Sequence, residues 1–138
     1  MSEAIVLDSS GLVALLTDAG PAGDWVASTL HRHMLAAPEL AMFETANILS
    51  RHQLSGLLEP VEATLAHQDL QALPLQLWPY LPLADRAWEL RDTLTTYDAS
   101  YVALAERLDG SLVTLDERLG RATGPRCRIL TPPQEARR

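Results

Sequence analysis

The sequence predicts an α/β protein in which an open parallel sheet of about five short strands is covered by helices on both faces, giving three layers. Short apolar runs alternate with longer stretches of helical apolar spacing along the chain. The short runs lack the alternation of a half-exposed strand, which indicates burial on both faces. With 138 residues, 47% of them hydrophobic, and neither a repeat nor a linker, we expect one domain over residues 1–138.

Five short runs have the length and composition of buried strands: residues 4–7, 34–37, 75–78, 111–115 and 127–130. The first ends at Asp8, and Pro38 ends the second. Pro74 and Pro79 flank the third and exclude a helix there. Gly110 precedes the fourth, as expected where a helix stops and a strand begins.

Helical patterns fill the intervals between these strands, and we predict helices at residues 11–16, 24–31, 38–54, 59–70, 83–94, 98–109 and 118–122. Ser9 or Ser10 can cap the first helix, and Gly20 ends it. Pro38 suits the first turn of the third helix, and Gly56 follows its end. Each helix therefore connects two strands in the manner of a parallel sheet.

Composition limits the environment and the partners. The single Cys127 excludes an intrachain disulfide and a cysteine zinc site, and no apolar run is long enough to span a membrane, so we expect a soluble cytoplasmic protein. The net charge is −7, and all 11 positive charges are arginines. This balance argues against broad attraction to nucleic acid, although local arginines could still hold RNA if metal neutralised an acidic pocket. It equally favours attraction of a basic protein.

Four acids lie on apolar elements. Asp8 and Asp116 each follow the carboxyl end of a predicted strand, where ligands of parallel sheets bind. Asp98 stands at the expected start of the helix that leads into the fourth strand. Glu44 is the only charged residue inside an apolar helical run. We therefore expect the four carboxylates to converge at one edge of the sheet.

Each acid also has a purely structural explanation. Asp8 and Asp98 could cap helices, and Asp116 could begin a turn. Glu44 could belong to an exposed stripe with Asn47 and Arg51, at helical spacings of three and four. The four acids together favour a metal site, because two unit charges about 4 Å apart repel by roughly 4 kcal/mol at a protein surface. Mg²⁺ or Mn²⁺, which prefers oxygen ligands, would remove that repulsion.

The ordered set of these motifs resembles the PIN-domain nucleases, and within them the VapC-type toxins of bacterial toxin–antitoxin pairs. The matching segments are Val6-Leu7-Asp8-Ser9-Ser10, Pro38-Glu39-Leu40 with Glu44 and Asn47, Tyr97-Asp98-Ala99 with Tyr101-Val102-Ala103-Leu104-Ala105, and Thr114-Leu115-Asp116. The resemblance implies a Mg²⁺- or Mn²⁺-dependent endoribonuclease that acts on RNA, forms a homodimer and is inhibited by a cognate antitoxin. It implies further that Asp8, Glu44, Asp98 and Asp116 form the metal site and that Thr114 supplies a supporting hydroxyl.

Two other functions fit parts of the sequence. A catalytically silent binding module could use the same acids to receive basic side chains of a partner. A receiver domain or an aspartate-nucleophile phosphatase would also place an aspartate after the first strand. The absence of lysine argues against a receiver, and Asp8-Ser9-Ser10 lacks the second aspartate of the phosphatase motif.

Overall fold

The computed structural model describes residues 3–137 and confirms the three-layer α/β architecture. Five parallel strands form one sheet: β1 (Ala4–Leu7), β2 (Met34–Pro38), β3 (Leu75–Trp78), β4 (Ser111–Val113) and β5 (Arg128–Leu130). Their order across the sheet is β3-β2-β1-β4-β5. β2 and β3 thus lie on one side of β1, and the chain then crosses over the sheet so that β4 and β5 lie on the other side.

Within residues 3–137, seven α-helices connect the strands: α1 (Ser9–Thr17), α2 (Pro21–Leu30), α3 (Leu40–Leu54), α4 (Pro60–Ala72), α5 (Ala84–Glu89), α6 (Thr96–Arg107) and α7 (Glu117–Gly120). With this strand order, the right-handed rule for parallel crossovers assigns α1 to α4 to one face and α5 to α7 to the other. In agreement, α1 packs on α2, α3 and α4, whereas α6 packs on α5 and on the central strands. No helix within residues 3–137 combines the length and apolarity needed to cross a membrane.

The core lies on both sides of β1, and the α6 helix is its largest buried element. All four β1 residues are buried, and seven consecutive α6 residues, from Ala99 to Ala105, are also buried. This stretch of α6 is longer than one turn and is buried on all sides. Its sequence therefore carries no polar stripe there. The same helix carries Asp98 in its first turn, so the packing of α6 fixes where that carboxylate lies.

The sheet order reverses between β1 and β4, and this is the point at which ligands of open parallel sheets bind. β1 pairs with β4 through Ile5, Val6 and Leu7 opposite residues 111–113. Gly110 permits the close approach of the two strands, because a Cβ there would lie 2.2 Å from the carbonyl oxygen of Ala4. The carboxyl ends of β1 and β4 therefore meet side by side, and Asp8 and Thr114 follow them.

Two predicted helix boundaries were wrong. The helix predicted for residues 83–94 is much shorter: a 3₁₀ turn at Leu81–Leu83 precedes α5, which ends before Leu90, where the backbone N–H bonds to carbonyls three and four residues back. The next helix begins at Thr96 instead of Asp98. Thr95 is its N-cap, because its hydroxyl accepts the Asp98 backbone N–H at 3.1 Å.

Smaller differences concern the ends of other elements. Asp8 caps α1 in place of either serine, since its carboxylate accepts the Gly11 N–H. Pro38 is the last residue of β2 and does not enter the following helix. β4 and β5 are each shorter than predicted, and α7 starts one residue after Asp116, which caps it.

One ion pair ties α5 and the segment before β5 to α6. The Arg86 guanidinium donates to both Glu106 oxygens, at 2.7 and 3.2 Å, and the Arg126 backbone N–H donates to the same carboxylate at 2.7 Å. Partial burial raises the pKa of Glu106, but the hydrogen bonds from Arg86 and Arg126 outweigh it and hold that pKa below its usual value of 4.5. The ionised form of Glu106 therefore stabilises the fold.

We expect Glu106→Gln to lower the free energy of unfolding at pH 7 by about 1–3 kcal/mol, because it removes a charged acceptor from a largely buried cluster. The matched control is Glu89→Gln, since Glu89 also bonds to Arg86, at 3.2 Å, but its side chain is 60% exposed. The control should cost no more than about 0.5 kcal/mol. Urea unfolding of the three proteins measures both values.

The pH dependence gives a second check. A depressed pKa in the folded state contributes stability that is complete above the unfolded pKa, near 4.5, and that is lost as the pH falls through the folded value. The difference in the free energy of unfolding between the natural protein and Glu106→Gln should therefore shrink below pH 4.5. An equal difference at pH 7 and pH 3 would show that the charge of Glu106 contributes nothing.

Candidate active site

Asp8 is the most deeply buried of the four candidate acids, with 6% of its surface exposed. The Ser10 hydroxyl donates to Oδ1 at 2.6 Å, and the Gly11 N–H donates to the same oxygen at 2.9 Å. The Thr114 hydroxyl donates to Oδ2. Burial raises the pKa of Asp8, and these three donors lower it again without cancelling the effect of burial. The carboxylate is thus rigidly held but costly to keep charged.

Thr114 connects Asp8 to Asp116. Its hydroxyl is fully buried and, besides donating to Asp8, accepts the backbone N–H of Asp116 at 3.0 Å. Ser10 makes a parallel link, because its oxygen accepts the Leu115 N–H at 2.9 Å. The two hydroxyls lie 3.3 Å apart. Together they fix the segment after β4 against the start of α1, at the reversal of the sheet.

Glu44 lies half-buried on α3, neither in the interior of the protein nor in a wholly exposed stripe. The phenol of Tyr101 on α6 donates to Glu44 Oε1 at 2.6 Å. Asn47 and Ser50, on the outer side of α3, are exposed. Burial, then the hydrogen bond to Glu44, raises the pKa of Tyr101 far above its usual value, so the phenol stays a donor. This bond links the two helical layers across the edge of the sheet.

Asp98 and Asp116 line one cleft of about 490 Å³, together with the positively charged side chains of Arg118 and Arg121. Asp98 is partly buried in the first turn of α6, where the helix N-terminus favours an acid. Asp116 caps α7 by accepting the Arg118 N–H at 2.9 Å. The Arg118 guanidinium also binds Asp116, with Nε 3.3 Å from Oδ1 and an Nη 3.1 Å from Oδ2.

The four carboxylates are close enough to influence one another. Burial raises the pKa of Asp98 first, and the negative charges of Asp116 and Glu44 raise it further. The charge of Asp98 in turn contributes to the raised pKa of Asp8. The pKa of Asp116 is lowered, with the hydrogen bond from Arg118 as the main cause. The acids of the edge therefore differ in basicity, with Asp98 disposed to take up a proton and Asp116 to stay charged.

Comparison with known proteins places this arrangement in a family. The model of the PIN domain matches residues 5–125. The chain belongs to the PIN-domain family. It is 36% identical over 130 residues to the VapC ribonuclease Mb0985 of Mycobacterium bovis, a match covering 94% of this chain and 99% of that protein.

Two solved structures share the fold of this PIN domain. One is VapC20 of Mycobacterium tuberculosis, described as a sarcin-ricin loop cleaving toxin, with a TM-score of 0.65 and 15% identity over 85% of this chain and 93% of that one. The other is VapBC2 of Rickettsia felis, bound to a DNA fragment from their promoter, with a TM-score of 0.68 and 14% identity over 93% of this chain and 98% of that one.

The donors of this PIN domain suit a hard cation in their chemistry, because all four candidate side chains offer carboxylate oxygens. Burial is the main cause of the raised pKa of Asp98, and the negative charges of Asp116 and Glu44 add to it; a cation would relieve this second contribution. Within residues 3–137, however, no three His, Cys, Asp or Glu side chains form a ready ligand set. Glu44 is held by Tyr101 and Asp116 by Arg118. Mg²⁺ commonly keeps several waters and one or two carboxylate ligands, so a closed protein cage is not required.

Three residues with defined contacts at the site escaped sequence reasoning. Ser10 was expected only as a helix cap, Tyr101 only as part of a motif, and Arg118 only as part of a short helix. Ser10 could have been found from its spacing, since a hydroxyl two residues after a strand-end aspartate can reach back to it. The contacts of Tyr101 and Arg118 depend on tertiary packing and leave no local pattern.

We expect Thr114→Val to lower the free energy of unfolding of the metal-free protein by about 1–3 kcal/mol at pH 7, because Asp8 and the Asp116 N–H each lose a buried partner. The matched control is Thr45→Val, since the Thr45 hydroxyl is also fully buried but has no hydrogen-bond partner among the described residues. The control should be neutral or stabilising. Urea unfolding in EDTA measures both, and equal effects would show that the Thr114 hydroxyl does not support the site.

Proposed function

We propose that this PIN-domain protein is an endoribonuclease that hydrolyses RNA phosphodiester bonds with Mg²⁺ or Mn²⁺, and that Asp8, Glu44, Asp98 and Asp116 are its metal-binding and catalytic residues. The observation that carries the proposal is the buried Asp8 carboxylate, which accepts three hydrogen bonds at the point where the strand order reverses. Its pKa responds to the charge of Asp98, which lines a cleft together with Asp116. The identity of 36% to a protein named as a VapC ribonuclease supports the reaction class.

The protein's own residues have distinct tasks in this proposal. Ser10, Gly11 and Thr114 hold Asp8 in one orientation, and Tyr101 does the same for Glu44. Such fixed donors are needed because small displacements of reacting groups are costly in rate. Metal bound here would polarise the phosphodiester and lower the pKa of a bound water. Asp98, which lines the cleft from the first turn of α6, is the acid to which we assign acceptance of a proton from the attacking water.

We expect single-stranded RNA to be cleaved by the purified protein with Mg²⁺ or Mn²⁺ and to stay intact in EDTA. Asp98→Asn should lower the cleavage rate by about two to three orders of magnitude, because metal stabilisation of the transition state is worth several kcal/mol. Denaturing gels of end-labelled RNA measure the rates.

The matched control for cleavage is Asp69→Asn, which changes an exposed aspartate of α4, far along the chain from the site. It should cleave at the natural rate. Circular dichroism should show that both variants are folded. Full activity of Asp98→Asn, or of the natural protein in EDTA, would overturn the proposal and favour a catalytically silent module that binds basic side chains.

We also propose that the protein is the toxin of a toxin–antitoxin pair, acting in the cytoplasm and silenced by a basic antitoxin. Its net charge of −7 and the carboxylates of Asp98 and Asp116 in the cleft suit an arginine or lysine of the partner. Exposed apolar side chains would supply most of the affinity: Leu54, Leu57, Val61 and Leu65 near the α3–α4 connection are 54–81% exposed. A homodimer would similarly cover Phe43, Leu81 and Tyr97, which are 59–84% exposed.

The toxin proposal is tested in growing cells. Expression of the natural protein should arrest growth, Asp98→Asn should not, and co-expression of the neighbouring gene for a short basic protein should restore growth. Harmless expression of the natural protein at a level matched by immunoblot to Asp98→Asn would refute the toxin assignment. Cleavage of RNA in the tube would still support the nuclease assignment.

A further inference from the structure

Arg118 occupies an unusual place for a surface arginine. Its side chain is 84% exposed, yet its guanidinium contacts both oxygens of Asp116 and its backbone N–H binds one of them. Asp116 has no carboxylate oxygen that Arg118 leaves untouched. A metal ion that used Asp116 as a ligand would have to share these oxygens with the guanidinium or displace it.

The ion pair is suited to exchange. Exposed pairs of this kind contribute little net stability, because solvent screens the attraction and two side chains lose freedom. The positive charge of Arg118 acts on Asp98 as well, where it opposes the rise in pKa caused by burial and by the other acids. Arg118 thus neutralises part of the carboxylate cluster in the absence of another cation.

The same cleft offers a second partner for the guanidinium. Arg118 and Arg121 both line it beside Asp98 and Asp116, in a protein that is acidic overall. A guanidinium binds phosphate oxygens with the same two-point geometry that it uses for a carboxylate. The bond from the Arg118 backbone N–H to Asp116 does not depend on the position of the long side chain, so it would remain if the guanidinium turned to a phosphate.

We propose that Arg118 is an exchangeable cation of the active site: it occupies Asp116 when metal is absent, yields that carboxylate when metal binds, and then contacts an RNA phosphate in the cleft. This inference rests on the proposed nuclease function, whose metal and substrate it takes as given. It makes Arg118 a substrate-binding residue whose resting contact lowers the affinity of the site for metal.

The first test measures Mn²⁺ affinity without RNA, by electron paramagnetic resonance of free Mn²⁺. Arg118→Gln should bind Mn²⁺ about two- to fivefold more tightly than the natural protein, because Asp116 is released from an exposed ion pair. Arg121→Gln is the matched control: Arg121 lines the same cleft but pairs with Glu117, at 3.7 Å. Physiological ionic strength limits the general effect of removing one charge, so the control should change less.

The second test measures binding of intact single-stranded RNA by fluorescence anisotropy at saturating Mn²⁺. All proteins carry Glu44→Gln so that the RNA is not cleaved. Adding Arg118→Gln should weaken RNA binding several-fold and lower the slope of log affinity against log salt by about 0.7, the value for one phosphate contact on a single strand. Arg118→Lys should retain part of the affinity, because it keeps the charge without the two-point geometry.

The outcomes separate this inference from the proposed function. Equal Mn²⁺ affinity of Arg118→Gln and the natural protein, or unchanged RNA affinity, would overturn the exchange while leaving the nuclease proposal intact. Failure of the natural protein to bind Mn²⁺ at all would overturn both. Circular dichroism of Arg118→Gln should match the natural protein, as expected for an 84% exposed side chain.

Discussion

The buried carboxylate of Asp8 is the constraint on which the site depends. A charge in this position is unfavourable, and three donors from two separated segments reduce that cost without removing it. One donor, Thr114, can reach Asp8 only because β1 and β4 are neighbours in the sheet. The hydrogen bond from Thr114 to Asp8 therefore depends on the strand order and at the same time stabilises the charged group of the site. A sheet with another order would leave Asp8 with only the two donors of its own segment, Ser10 and Gly11.

The fold was largely predictable because its strands are buried on both faces and its turns carry strong signals. The five strands were located to within two residues by apolar runs with clear boundaries, such as Asp8 and Pro38 at their ends and Gly110 before the fourth. Errors arose where competing residues could perform the same task. Thr95 and Asp98 can both cap α6, and only the backbone conformation decides for Thr95. The end of α5 at Glu89 leaves no signal in the apolar pattern, which continues through the buried Leu90.

The candidate site was only partly predictable. Asp8 and Asp116 followed from their positions at strand ends, because parallel sheets bring those ends together. The environment of Glu44 did not follow, since α3 presents Phe43 to solvent despite its apolar sequence, and the phenol that holds Glu44 comes from a helix more than fifty residues away. Long-range polar contacts of this kind have no period or spacing in sequence. They become visible only when the two helical layers are assembled.

The hydrogen bond from Tyr101 to Glu44 has a consequence for how such domains diverge. Tyr101 is 1% exposed and belongs to the helical layer on one face of the sheet, whereas Glu44 belongs to the layer on the other. The helices of each layer lie within one continuous block of sequence, residues 9–72 and 84–120, so recombination between related genes could exchange one without the other. A hybrid whose α6 lacked this tyrosine would keep every acid and still lose the orientation of one. The two helical layers therefore have to change together in evolution if the orientation of Glu44 is to be kept.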